Sequence, residues 1–353
     1  MRMLSAYGAR GCVTIVPAVL VLAALSITAQ AVETAVPMTK IEEARIDRWD
    51  PAMDAIVPKD WKIEKLAEGF GWAEGPIWVR NGGYLLFTDV PGNKMWKWSQ
   101  GGGLEKFLDP SGAANPDPAV WREAGANGLA IYDKKSIVYA DTGNRVIQRL
   151  DLKNKRKTTL ASNLDGKKFA SPNDVAKTKS GVLFFTDPPY GFKKFDDAPE
   201  KEIAFNGVYR RGKDGKVTVI EKELVRPNGV ALSPDEKTLY VTQSEPTKAI
   251  IMAYSLDKGG NVTGKKLFAD VTDLIGNDSP GLPDGLTVAA DGTIFTSAPG
   301  GILVLSTDGK RLGRIWDGKA TANCKFGEDG KTLFLTSSNM VARIRLNVSG
   351  QGF

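Results

Sequence analysis

The 353-residue chain contains no histidine. That absence closes the Ser-His-Asp and Cys-His relays by which side-chain nucleophiles are most often activated. Histidine-rich zinc and iron sites are closed with them. Any hydrolytic chemistry must therefore run on carboxylates, amides, lysines or a hard metal ion. Cysteine is scarce as well, with Cys12 near the start and Cys324 near the end. A concentrated basic face is also missing. The formal charge of +6 comes from 47 basic and 41 acidic residues, and lysines alternate with carboxylates in stretches such as DLKNKRKTTL and SLDKGG. Nucleic-acid binding needs a basic stripe with aromatics beside it, so no nucleic-acid partner is expected. Beyond about Trp61 the helical period is hard to find, while short apolar runs bounded by Gly, Asp and Pro recur throughout.

The N-terminus carries an export pattern. Arg2 and Arg10 supply positive charge, VTIVPAVLVLAALSIT is apolar, and Ala29-Gln30-Ala31 makes an A-x-A cleavage step. Residues 1–31 are expected to be a cleavable secretory signal, with mature protein starting near Val32, periplasmic or secreted. No stable membrane association is expected after cleavage; an uncleaved anchor is the alternative. Cys12 leaves with the signal, so Cys324 has no disulfide partner in the mature chain. The net charge falls from +6 to +4 with Arg2 and Arg10 removed.

A β-rich run returns six times: GYLLFTD from Gly83, KSIVYAD from Lys135, GVLFFTD from Gly181, KTLYVTQ from Lys237, GTIFTSA from Gly292 and KTLFLTS from Lys331. Successive starts lie 52, 46, 56, 55 and 39 residues apart, about one four-stranded antiparallel blade each. An all-β, six-bladed β-propeller follows. Eight or nine residues ahead of each run stands a shorter signature: EGPIWV at Glu74, NGLAIY at Asn127, NDVAKT at Asn173, NGVALS at Asn228, DGLTVA at Asp284 and NCKFGE at Asn323. Each pairs with its β-rich run as a hairpin. First strands of propeller blades line the central channel, so the six oxygen-bearing residues are expected to form one ring at one end of the axis. The plainer reading is that Asn and Asp start strands through side-chain turns. Six registered copies weigh against it.

Two carboxylates, Glu74 and Asp284, with four carboxamides suit a hard divalent cation, and two negative charges balance such an ion. The expectation is one axial site for Ca2+, with Mg2+, Zn2+ and Mn2+ as alternatives. Such an ion polarises a carbonyl for attack by water. Asp284 is the residue expected to assist that water, with Glu74 a ligand. Tyr190 and Trp72 are candidates for an apolar wall of the channel, with simple packing as the alternative. Asp89, Asp141 and Asp187 follow second strands and are read as blade-turn residues.

EGPIW, SPNDV with FTDPPYG, RPNGVALSPDEKTLYV, LPDGLTV and SAPGGI together resemble the gluconolactonase/SMP-30 (regucalcin-like) family over about residues 61–345. The likeness is to its periplasmic gluconolactonases in particular. The resemblance implies a six-bladed propeller with one axial divalent cation held by Glu74, Asn173, Asn228 and Asp284, with Asp284 also the acid/base. It further implies Asn127 and Ser171 as substrate contacts, with Tyr190 and Trp72 as candidates for the wall against the substrate's sugar ring. The expected activity is hydrolysis of a small-molecule sugar lactone, such as glucono-1,5-lactone, to the aldonic acid. The alternatives are a related lactonase or organophosphate hydrolase, and a calcium-dependent carbohydrate- or partner-binding propeller without catalysis. Two departures from the family pattern stand out. Thr142 sits where many bacterial relatives carry histidine, and KKFA, with Lys168 and Ala170, replaces a more usual Arg- and Asn-containing stretch before SPND. The expected organisation is a signal over 1–31, a segment over 32–60 packing on the propeller, with a strap or short helix in IEEARIDRWDPAMDAIV, and a propeller lactonase domain over 61–353.

Overall fold

The computed structural model describes residues 38–353; the expected export signal lies outside them. Six antiparallel sheets follow one another around an axis, and each expected hairpin forms the inner half of a blade. The innermost strands of the first, second, fourth and sixth blades are Ala73–Val79, Ala126–Asp133, Pro227–Leu232 and Thr321–Gly327. Those of the third and fifth are shorter, Val175–Lys177 and Leu286–Val288. Among the described residues the one α-helix is Met53–Ile56. None of their helices is long and apolar enough to cross a membrane.

The second strands, such as Tyr84–Asp89 and Leu183–Asp187, are buried almost throughout, because both faces of each sheet are covered by neighbouring blades. The apolar side chains therefore gather in the wedges between blades. Leu66, Phe87 and Phe334 pack between the last and first blades. Val138, Phe185 and Tyr209 pack between the second and third, and Leu239, Val230 and Tyr254 between the third and fourth. The axis is left for polar residues.

Closure of the ring is non-covalent. The sixth blade takes three strands from the C-terminal end of the chain and its outer strand, Ile63–Glu68, from the other end, paired to Met340–Arg345. The preceding segment runs over the outside. Thr39–Lys40 pairs with Ile63–Glu68, and Arg45–Arg48 adds a fifth strand to the fifth blade beside Arg311–Trp316. Asp50 caps the turn into the short helix by accepting from the Ala52 N–H at 2.8 Å. Met53, Ile56 and Val57 then enter the core between the fifth and sixth blades. Residues 38–60 thus form both a strap and a helical turn.

Candidate active site

The ring residues reach the axis through local irregularity of the inner strands. In the first blade the pairing with the second strand breaks between Glu74 and Ile77. The same break falls between Ala126 and Leu129 and between Pro227 and Val230. Such bulges re-aim a side chain out of the pleat, and here they carry Glu74, Asn127 and Asn228. Asn173 and Asp284 stand just ahead of their paired strands. The glycine after the ring residue is required by its neighbour. A Cβ on Gly229 would lie 2.1 Å from the Asp284 carbonyl oxygen, and one on Gly75 2.2 Å from that of Asn127. In the first and fourth blades the glycine after the ring residue thus rests on the next blade's backbone.

Threonines of the second strands fasten these contacts. Thr88 Oγ1 donates to Asn127 O at 3.1 Å, Thr186 Oγ1 to Asn228 O at 2.5 Å, and Thr242 Oγ1 to Asp284 O at 2.6 Å. In the third blade Asp174 replaces the glycine, and its carboxylate accepts from the Val230 N–H of the fourth blade at 3.0 Å. The aspartates that end second strands act behind this layer. Asp89 accepts from the N–H groups of Gly71, Trp72 and Gly92. Asp187 accepts from Ala170 and Ser171 at 2.8 and 2.7 Å.

Glu74, Asn127, Asn173, Asn228 and Asp284 all line one cavity of about 600 Å3, together with Trp72 and Tyr190. Asn323 stands behind it: its Nδ2 donates to Glu74 Oε2 at 3.1 Å, and its Oδ1 accepts from the Cys324 N–H. Ser171 is also outside the lining. Its buried hydroxyl donates to Pro188 O and accepts from the Gly191 N–H, so it fixes the DPPYG loop that carries Tyr190. Thr142 plays a similar part, donating to Pro172 O at 2.7 Å. Lys168 is exposed on a two-residue hairpin strand, away from the cavity, and Ala170 packs against Phe192.

The electrostatics of the cavity are those of crowded acids. Burial pushes Glu74 up to about 7, and Asp174 and Glu123 add to the rise, against the Gly75 N–H and the Asn323 amide. Asp284 is raised well above its ordinary value, first by burial and then by the Glu74 carboxylate, with the Asn228 amide opposing. Asn127 Oδ1, Asn228 Oδ1 and the Tyr190 hydroxyl are buried there without a well-formed hydrogen-bond partner. Buried acceptors of this kind are normally satisfied. Carboxylates that repel one another beside orphaned amide oxygens suit a hard cation, which would neutralise the first and fill the lone pairs of the second. No cluster of three or more His, Cys, Asp or Glu side chains suited to a metal occurs among the described residues; the donor set is instead two carboxylates with carboxamides.

Sequence reasoning missed Arg122, Glu123 and Ser244, which also line the cavity. Ser244 accepts from Asn228 Nδ2 at 2.7 Å and donates to Pro283 O, linking the fourth blade's ring residue to the chain entering Asp284. It follows a second strand, one place beyond the repeating run. Arg122 and Glu123 come from the connection between Gly103–Leu108 and Ala126–Asp133, which has no counterpart in the repeat.

Residues 72–339 match the family described as the SMP-30/Gluconolactonase/LRE-like region. A gluconolactonase of Zymomonas mobilis is 43% identical over 310 residues, covering 87% of each chain. A pentonolactonase of Haloferax volcanii is 25% identical over 273 residues, covering 75% of this chain and 81% of its own. Among solved structures, a gluconolactonase from Xanthomonas campestris superposes with a TM-score of 0.75 at 28% identity, covering 88% of this chain and 98% of that one.

Proposed function

The chain belongs to the SMP-30/gluconolactonase/LRE-like family, and from that membership we propose that it hydrolyses a sugar lactone to the corresponding aldonic acid, as an exported enzyme that uses a divalent cation. The observation that carries the reading is the convergence of Glu74, Asn173, Asn228 and Asp284 on one cavity. These four residues would hold the ion. A calcium-type cation fits two carboxylate and two carboxamide oxygens, with Mg2+, Zn2+ and Mn2+ as competitors. When bound, the ion supplies positive charge that polarises the lactone carbonyl and balances the acids.

The remaining work falls to the chain. Asp284 takes the proton as water adds to the carbonyl carbon. Collapse of the tetrahedral oxyanion breaks the ring C–O bond, and the proton passes to the departing ring oxygen, giving a hydroxy acid. The Asp284 backbone is held from two sides. Its N–H donates to Ser297 Oγ at 2.8 Å, and its carbonyl accepts from Thr242. Asn127 Oδ1 and the Tyr190 hydroxyl, both unpartnered in the cavity, offer an acceptor and a donor to the sugar. Ser171 contributes indirectly, through the loop it pins. The test is a pH-stat assay of glucono-1,5-lactone opening with and without chelator, on wild type and Asp284→Asn. Wild-type turnover above the spontaneous rate, lost in the variant by about 10^3-fold, supports the assignment. A variant as active as wild type removes it.

A further inference from the structure

Glu123 is the acid of the cavity that the ring does not supply. Its segment is clamped from the third blade's side. The Lys193 N–H donates to Val120 O at 2.9 Å, and Trp121 packs on Phe192 with ring centroids 5.0 Å apart. The N–H groups of Arg122 and Glu123 both reach Gly191 O, at 2.8 and 3.2 Å. Arg122 Nε donates to Tyr190 O at 3.0 Å, and its guanidinium lies 5.1 Å from the Phe195 ring centroid. A Cβ on Gly191 would come within 2.7 Å of Ser171 and 2.9 Å of the Trp121 ring, so the two loops cannot slide past each other.

Out of this clamp the two side chains diverge. Arg122 stays at the rim, 44% exposed, while the Glu123 side chain is 11% exposed and lines the cavity. The Glu123 carboxylate has one side-chain partner, the Arg122 guanidinium at 2.5 Å on Oε1. Its second oxygen therefore keeps its lone pairs for the cavity, which it shares with the unpartnered Asn127 Oδ1 and Tyr190 hydroxyl. An ion pair serving only to tie loops would keep both charges near water, because burying a carboxylate carries a desolvation cost. Burial here does push Glu123 up to about 7, against Arg122. Arg122 is already anchored by Tyr190 O, so the loops are joined without the acid. A carboxylate can accept about four hydrogen bonds, and a polyhydroxylated lactone brings hydroxyl donors on adjacent carbons.

We infer that Glu123 is the residue that recognises the hydroxyl groups of the substrate, accepting hydrogen bonds from a vicinal pair, with Arg122 as the positioning residue that orients its carboxylate. The inference rests on the lactonase reading above and narrows it to polyhydroxylated lactones over plain acyl lactones. A site built to pair with substrate hydroxyls discriminates against analogues that lack them, because its own polar groups are then left unpaired.

The test compares glucono-1,5-lactone with δ-valerolactone, the same six-membered ring without hydroxyls, on wild type, Glu123→Ala and Glu123→Gln. Melting temperatures establish that the variants fold. In Glu123→Ala, KM for glucono-1,5-lactone should rise about tenfold or more while kcat changes less, and kcat/KM for δ-valerolactone should stay within about twofold of wild type. Glu123→Gln should fall between, since its amide oxygen still accepts. Equal losses on both lactones, a loss borne by kcat alone, or an unchanged KM for glucono-1,5-lactone would each overturn the inference while leaving the lactonase reading intact. A wild-type protein that opens neither lactone removes the lactonase reading, and this inference with it.

Discussion

Asp284 and Asp187 are both buried aspartates whose carboxyl groups burial drives upward, the latter to about 7, yet they belong to different kinds of structure. Asp187 sits at the end of a second strand, and its two oxygens take the N–H groups of Ser171 and Ala170. Asp284 sits at the ring, where Glu74 and Asp174 add repulsion and the Asn228 amide opposes them. One carboxylate is placed where the backbone donates to it; the other is placed among acids and orphaned amide oxygens. Burial alone does not separate the two acids. The supply of donors does.

The sharpest way to break this contrast is to neutralise each acid in turn. Asp284→Asn is expected to lower turnover about 10^3-fold, equivalent to about 4 kcal/mol in the barrier, while chemical denaturation of the metal-free protein shows equal or higher stability because a like charge is gone. Gly229→Ala attacks the blade contact on which Asp284 leans, through a clash with its carbonyl. Its expected cost is about 3 kcal/mol of unfolding free energy, read in the same denaturation, together with reduced turnover. Asp187→Asn should behave as the mirror image of Asp284→Asn. One of the two N–H donors would meet an amide NH2, costing about 2 kcal/mol of stability, with smaller effects on kcat.

The pH profile separates the pair further. The folded-state value of Asp187, about 7, lies above its ordinary 3.8. Its contribution to stability is therefore full below the ordinary value and is lost as pH rises through about 7. Asp187→Asn should flatten the fall in stability across that window, measured by denaturant midpoints at each pH. Thr242→Val carries the smallest effect. It removes the hydroxyl between the Gly229 N–H and Asp284 O, for about 1 kcal/mol, and a modest loss of turnover would show that the backbone of Asp284 needs this support.

The blades and the ring were legible because the repeat supplies its own alignment. Six copies of a strand fix the register at which Glu74, Asn173, Asn228 and Asp284 must point inward, and a propeller axis brings equal registers together. Asn323 obeys the same register but is spent on Glu74, a detail that depends on side-chain reach. Ser171 illustrates the same limit: two places from Asn173 on the chain, it faces the loop behind the cavity. Glu123 and Arg122 lie in a connection outside the repeat, where no second copy indicates direction, and only the clamp against residues 190–193 places them. The strap over residues 38–60 was half visible, since Met53, Ile56 and Val57 have the apolar spacing of one turn, but its pairing with Arg311–Trp316 depends on a sheet edge near the other end of the chain.

The bond between Asn323 and Glu74 joins the last blade to the first at the inner strands, and on the outer side of the same last blade Ile63–Glu68 meets Met340–Arg345. A growing polypeptide consequently carries Glu74, Asn173, Asn228 and Asp284 before it carries the strand that bears Asn323. Glu74 lacks its amide partner until the final blade has been synthesised and the two ends of the chain have found each other. The Glu74–Asn323 contact and the strand pairing between the two ends of the chain therefore both await the last blade.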